Sequence, residues 1–112
     1  MALTTIERAQ LIQRYEDGPN WLRAALATVP PDAMKWRPQP GEWSAHEVVC
    51  HCADSETNAA GRFRSLLVEK EPLILGYDQD AWASALDYHA QPLDAAEVHV
   101  ALECVRLLGR SQ

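Results

Sequence analysis

The chain has 112 residues, of which 47% are hydrophobic and 23% charged, and its formal net charge is −6. We expect residues 1–112 to form a single domain, because this length can sustain one hydrophobic core. The acidic excess argues against nucleic acid as a partner, and no apolar run is long enough to span a membrane. The N-terminal residues show no signal-peptide pattern, so we expect a cytoplasmic protein.

The three cysteines, Cys50, Cys52 and Cys104, are predicted to be free thiols. Cys50 and Cys52 lie two positions apart, which on a helix turns their side chains about 200° away from each other. They therefore cannot readily pair with each other or bind one metal together. An odd number of cysteines in apolar segments agrees with a reducing compartment.

The first predicted helix runs from Thr4 or Thr5 to about Thr28, because apolar residues recur there at helical spacing. The tripeptide Asp17-Gly18-Pro19 interrupts this pattern. Since proline has no backbone N–H, a kink or a restarted helix is expected at this point. The stretch that follows, up to Trp43, is rich in proline and is predicted to be extended.

The second predicted helix has the clearest start in the chain. Ser44 and Glu47 have the spacing of a capping box, in which each side chain accepts from the other residue's backbone N–H. Trp43 and Val48 are placed as the hydrophobic staple around this cap. The helix is predicted to continue to about Glu69, with one apolar face made of Val48, Cys52, Ala59, Phe63, Leu66 and Leu67.

Two more helices are predicted after Pro72. A short one is expected to be capped by Asp80 and to run through Trp82, and a last one to be capped by Asp94 and to end at Gly109. No alternating β-branched run predicts a strand. The predicted fold class is therefore all-α, with three main helices and one short helix in the connection before the last.

The segment from Trp36 to His51 resembles the signature of the DinB/YfiT-like superfamily, a Trp/Arg-x-Pro element followed by Trp-Ser-x-x-Glu-Val-x-x-His. The resemblance extends over nearly the whole chain, through Ala53-Asp54-Ser55-Glu56, Arg62-Phe63-Arg64, Pro72, Tyr77-Asp78, Trp82 and Arg106. It implies an up-down four-helix bundle with a long crossover. We expect this chain to be C-terminally short and to lack the fourth helix of that bundle.

The resemblance also implies a divalent metal, often nickel or zinc, held by three histidines. His51 stands at the position of the first ligand, and the His-x-x-x-His pair that supplies the other two has no counterpart in this sequence. From helical spacing, Glu47 and Asp54 lie one turn from His51 and are candidate helpers, and His99 on the last helix is a third. The alternative is that His51 is a half-buried histidine without a metal role.

The sequence leaves three functional interpretations open. In the first, the protein is a homodimer whose metal site is incomplete or inactive, because a bundle short of one helix would expose an apolar seam. In the second, it is a metal-dependent hydrolase or thiol S-transferase of a small-molecule substrate, with a site completed between subunits. In the third, a missing C-terminal segment completes the site. No catalytic residue is assigned, and no glycine-rich loop predicts a nucleotide cofactor.

Overall fold

The computed structural model describes residues 2–109, and all regular structure in this part of the chain is helical. The four α-helices are α1 (Thr5–Leu26), α2 (Ala45–Val68), α3 (Gln79–Ala85) and α4 (Leu93–Leu108), and two 3₁₀ turns cover Pro31–Ala33 and Tyr88–Ala90. The all-α prediction is confirmed. The finer expectations, three main helices with a short one and an absent fourth helix, are not confirmed by a structure with four α-helices.

Both capping boxes near the N-terminal ends of the long helices follow from local sequence. Thr4 caps α1 together with Glu7, and Ser44 caps α2 together with Glu47, as predicted for the second helix. The helix α2 ends at Val68, one residue before the predicted limit. Such a motif needs only four consecutive residues, which explains why the sequence alone predicts the box at Ser44; the box at Thr4 was not predicted.

Two predicted caps are wrong. The cap of α3 is Asp78, whose carboxylate accepts from the Ala81 N–H at 3.1 Å, and Asp80 lies inside the helix. The helix α4 begins at Leu93 after Pro92, without a side-chain cap, so Asp94 lies in its first turn. A carboxylate in the first turn still interacts favourably with the N-terminal end of the helix dipole.

Of the two outcomes expected at Pro19, a kink or a restarted helix, the restart is wrong, because α1 is assigned as one uninterrupted helix with Pro19 inside it. The core lies elsewhere, between α2 and α4. It consists of Val49, Cys50, Ala53, Ala83, Tyr88, Ala96 and Val100. The predicted apolar face of α2 is therefore misplaced, since Val48, Phe63, Leu66 and Leu67 are exposed.

The first helix is unusual because none of its residues is buried. It packs against α4, while α4 also packs along α2. Apolar side chains of α1 and of the C-terminal half of α2 consequently face an open groove. No helix among residues 2–109 is long and apolar enough to cross a membrane.

Candidate functional site

His51 lines a groove of about 560 Å³ whose walls come from α1, α2 and α4. Its ring lies 4.9 Å from the Trp43 ring, measured between centroids. The Nδ1 atom of His51 is buried and has no hydrogen-bond partner among the described residues. The groove is also lined by Leu11, Arg14, Tyr15, Gly18, Pro19, Trp21, Leu22, Cys52, Ser55, Glu56, Val100 and Cys104.

The carboxylate of Glu47, the first candidate helper, is bound by residues other than His51. Arg37 binds both of its carboxylate oxygens, with N–O distances of 2.7 Å. The Ser44 N–H donates to the same carboxylate at 3.0 Å, and Nε2 of His89 lies 3.2 Å from it. Because Arg37 binds the charged form, the pKa of Glu47 is lowered to about 2 although the side chain is buried.

Asp54 and His99 are also bound by other residues. The Tyr88 hydroxyl donates a hydrogen bond to the Asp54 carboxylate. Burial, together with Asp54, raises the pKa of Tyr88, so this hydroxyl stays protonated. Nε2 of His99 lies 2.8 Å from the Thr57 hydroxyl oxygen. The structure therefore does not bring Glu47, Asp54 or His99 together with His51 as a ligand set.

The described residues do not fit a metal site of three protein ligands. Nowhere in residues 2–109 do three His, Cys, Asp or Glu side chains come together in a way that could hold an ion. A histidine that binds a metal through one ring nitrogen normally donates the other N–H to an acceptor. The buried Nδ1 of His51 has no hydrogen-bond partner among the described residues, so no acceptor holds this nitrogen. A single copy, as far as the structure describes it, thus offers one candidate ligand, His51, without a set of three ligands around it.

Sequence reasoning missed the pair formed by Tyr15 and Glu56, which line the groove with His51. The Tyr15 hydroxyl donates to the Glu56 carboxylate at 2.5 Å and so joins α1 to α2. Burial and the neighbouring Glu56 raise the pKa of Tyr15, which keeps the hydroxyl a donor. Glu56 lies four residues after Cys52 on the same face of α2, so helical spacing from the His51 region could have located it.

All three cysteines are free, as predicted. Burial raises the pKa of Cys50 to about 11, and it also raises those of Cys52 and Cys104. Thiols with raised pKa values are poor nucleophiles at neutral pH, because the thiolate is the reactive form. None of the three has the environment of an activated cysteine.

The model of the DinB superfamily matches residues 14–106 of this chain. The chain belongs to the DinB superfamily. It is 30% identical over 87 residues to a "Putative metal-dependent hydrolase" of Oceanobacillus iheyensis, covering 78% of this chain and 51% of that protein. A protein of the same description from Bacillus cereus is 36% identical over 76 residues, covering 68% of this chain and 44% of that protein.

A solved structure also resembles this DinB-family chain. YfiT from Bacillus subtilis, described as "a probable metal-dependent hydrolase with an unusual four-helix bundle topology", superposes with a TM-score of 0.86 at 25% identity. The match covers 96% of this chain and 62% of that one. The chain therefore spans about half the length of the curated relatives and less than two thirds of the YfiT chain.

Proposed function

We propose that this DinB-family protein is a homodimer of the metal-dependent hydrolase type whose metal site is incomplete, and so inactive, within a single copy. The observation that carries this proposal is the state of His51. Its Nδ1 has no hydrogen-bond partner among the described residues. The three side chains that the sequence offers as helping ligands, Glu47, Asp54 and His99, bind other residues instead. We therefore assign no catalytic step to the single chain.

Metal binding tests this directly. Protein purified without chelator and dialysed against Zn²⁺ or Ni²⁺ is expected to retain well under one ion per chain, with the same value for His51→Ala. The matched control is His99→Ala, which removes a histidine of similar exposure on α4. One tightly held ion per chain that His51→Ala removes and His99→Ala leaves in place would contradict an incomplete site.

The alternative is a metal-dependent hydrolase or thiol S-transferase with a site completed between subunits or by a further C-terminal segment. The share of the relatives that this chain matches supports it, because about half of each relative lies outside the match. On this alternative the bundle consists of three long helices and the short α3, and its fourth long helix comes from elsewhere. Stoichiometric metal binding that appears only at concentrations where the protein is dimeric would favour completion between subunits.

We also propose a cytoplasmic location. Three cysteines, all free and without a disulfide, fit a reducing compartment. Fractionation of the host cell, with detection of the protein by antibody, tests this part of the proposal. Recovery from an extracytoplasmic fraction would contradict it.

A further inference from the structure

We propose that the protein binds a small basic amino acid of the lysine class in a second cleft, which lies where α2 begins and is called here the polar cleft. It is lined by Arg37 and residues 41–43 before α2, by Glu47, by α3 and by residues 87–89 after α3. Its volume is about 510 Å³, which is within the range of cavities that hold small molecules. His51 does not line the polar cleft, so the inference is independent of the metal site and of the proposed homodimer.

Arg37 presents one free edge of its guanidinium group to the polar cleft. Nε and Nη2 each donate to a carboxylate oxygen of Glu47 at 2.7 Å, and Nη1 has no partner among the described residues. Because Glu47 is buried, this bidentate pair fixes the guanidinium plane while the Arg37 side chain stays 51% exposed. The outer edge, with Nη1 and the second N–H of Nη2, matches the geometry of a carboxylate. The cleft therefore contains a preformed position for a ligand carboxylate.

The helix α3 presents polar side chains to the cleft. Asp80, Ala83 and Ser84 lie three and four residues apart and share one face of this helix, and Asp87 follows just after its end. The side-chain oxygens of Asp80, Ser84 and Asp87 have no hydrogen-bond or ion-pair partner in the part of the chain that the structure describes. These oxygens can therefore accept the N–H groups of an ammonium ion.

The charges of the polar cleft favour a ligand with more ammonium groups than carboxylates. Arg37 and Glu47 neutralise each other. An excess of negative charge remains on three further carboxylates that line the cleft, those of Glu42, Asp80 and Asp87. Nowhere in the described chain do three acidic, His or Cys side chains come close enough to hold a metal ion, so these carboxylates are spread around the cleft. Separate acceptors fit separate ammonium groups of an organic molecule, and the net charge of −6 adds a general attraction for cations.

Another part of the wall is aromatic. Trp43 and Tyr88 line the cleft, with their ring centroids 6.4 Å apart. The methylene chain of a lysine-like molecule can pack against these rings, and an ammonium group is attracted to an aromatic face. A carboxylate, two ammonium groups and an apolar stem are thus matched by the free edge of Arg37, the free carboxylates and the aromatic wall. A basic amino acid combines all of these features in one small molecule.

Binding of L-lysine and of two analogues that each lack one charged group tests the proposal. Cadaverine lacks the carboxylate, and 6-aminohexanoate lacks the α-ammonium group. Wild type is expected to bind L-lysine about tenfold more tightly than either analogue, which is the difference expected for one hydrogen bond between charged groups. Calorimetry at constant ionic strength measures the three dissociation constants.

Two variants assign the two ends of the ligand. Arg37→Gln removes the carboxylate position, so it is expected to weaken the binding of L-lysine about tenfold and not to weaken that of cadaverine. Asp80→Asn is expected to weaken the binding of both molecules, because both carry ammonium groups. Asp94→Asn is the matched control, since Asp94 is also an exposed carboxylate in the first turn of a helix and does not line the cleft. Circular dichroism shows whether the variants fold.

The outcomes separate a built site from general attraction to an acidic protein. Equal affinity of wild type for L-lysine and cadaverine, or equal losses in Asp80→Asn and Asp94→Asn, would overturn the proposal. Failure of wild type to bind L-lysine at millimolar concentration would overturn it as well. If Arg37→Gln does not fold, the comparison of L-lysine with cadaverine on wild type decides the carboxylate position.

Discussion

The thiol of Cys104 in α4 donates a hydrogen bond to the backbone carbonyl oxygen of Tyr15 in α1, at 3.4 Å. In an α-helix this carbonyl accepts from the N–H four residues later, and that residue is Pro19, which has no N–H. A thiol from the neighbouring helix therefore takes the place of the donor that the proline lacks. This explains how α1 continues through Asp17-Gly18-Pro19 where the sequence predicts an interruption.

Replacing the thiol is expected to destabilise the protein. Cys104→Ala removes a donor and leaves a small cavity in a buried position, so the free energy of unfolding falls by about 1–2 kcal/mol. In a Pro19→Ala background, where residue 19 supplies its own N–H, the same change costs less. Urea unfolding of the four proteins in this double-mutant cycle measures the difference. Strictly additive effects would show that Cys104 and Pro19 act independently.

The ion pair between Arg37 and Glu47 is expected to hold the connection before α2 onto that helix. Arg37→Ala leaves a buried carboxylate with its Ser44 and His89 contacts only, and we expect it to lower the free energy of unfolding more than the control variant does. The Arg37 side chain is half exposed, so solvent screens part of the interaction. Arg23→Ala near the end of α1 is the control, and an equal loss in both variants would contradict the role of Arg37.

The ion pair between Arg37 and Glu47 also predicts that the stability of the protein depends on pH. Because the pKa of Glu47 is about 2 in the folded protein and 4.5 is its ordinary value, the folded state binds fewer protons than the unfolded state. The stabilisation is fully present above pH 4.5 and is lost as the pH falls from there towards 2. Thermal unfolding between pH 6 and 3 should show a smaller loss of Tm in Arg37→Ala than in wild type. Equal losses of Tm in the two proteins would mean that carboxylates other than Glu47 determine the sensitivity to acid.

The correct predictions and the failures separate along physical lines. The capping box of Ser44 depends only on neighbouring residues, so the sequence predicts it, and helical periodicity predicts the long helices. The buried face of α2 depends on which elements pack against it. In this helix the small side chains of Ala53 and Ala60 are buried and the large apolar side chain of Leu67 is exposed, which is the reverse of the pattern expected for an amphipathic helix. Helical spacing alone therefore placed the core on the wrong side.

The candidate site shows the same limit. Spacing placed Glu47 and Asp54 one turn from His51 correctly, since that is a property of any helix. It could not reveal that Arg37 and Tyr88, which come from distant parts of the chain, bind these carboxylates. The state of a polar side chain depends on partners that only the folded structure supplies.

Tyr88 and Tyr77 provide a matched test, because the hydroxyl of Tyr88 donates a hydrogen bond and the buried hydroxyl of Tyr77 has no partner among the described residues. Tyr88→Phe removes the donor to Asp54 from a residue that is 1% exposed, and we expect a loss of about 1–2 kcal/mol in the free energy of unfolding. The Tyr77 hydroxyl is buried without a partner among the described residues, so Tyr77→Phe is expected to be neutral or stabilising. Chemical denaturation measures both, and the reverse order would contradict the hydrogen bonding described here.

The last prediction concerns His51 and compares it with His46. Nε2 of His46, a buried residue, lies 2.8 Å from the carbonyl oxygen of Gln91, so His46→Leu removes a hydrogen bond and is expected to cost about 1–3 kcal/mol. His51→Leu removes a ring nitrogen that has no partner and keeps an apolar group against Trp43, so the expected change stays within about 1 kcal/mol. Both variants are unfolded in urea with a chelator present. A loss in His51→Leu as large as that in His46→Leu would contradict the expectation that the unpartnered nitrogen contributes little to stability.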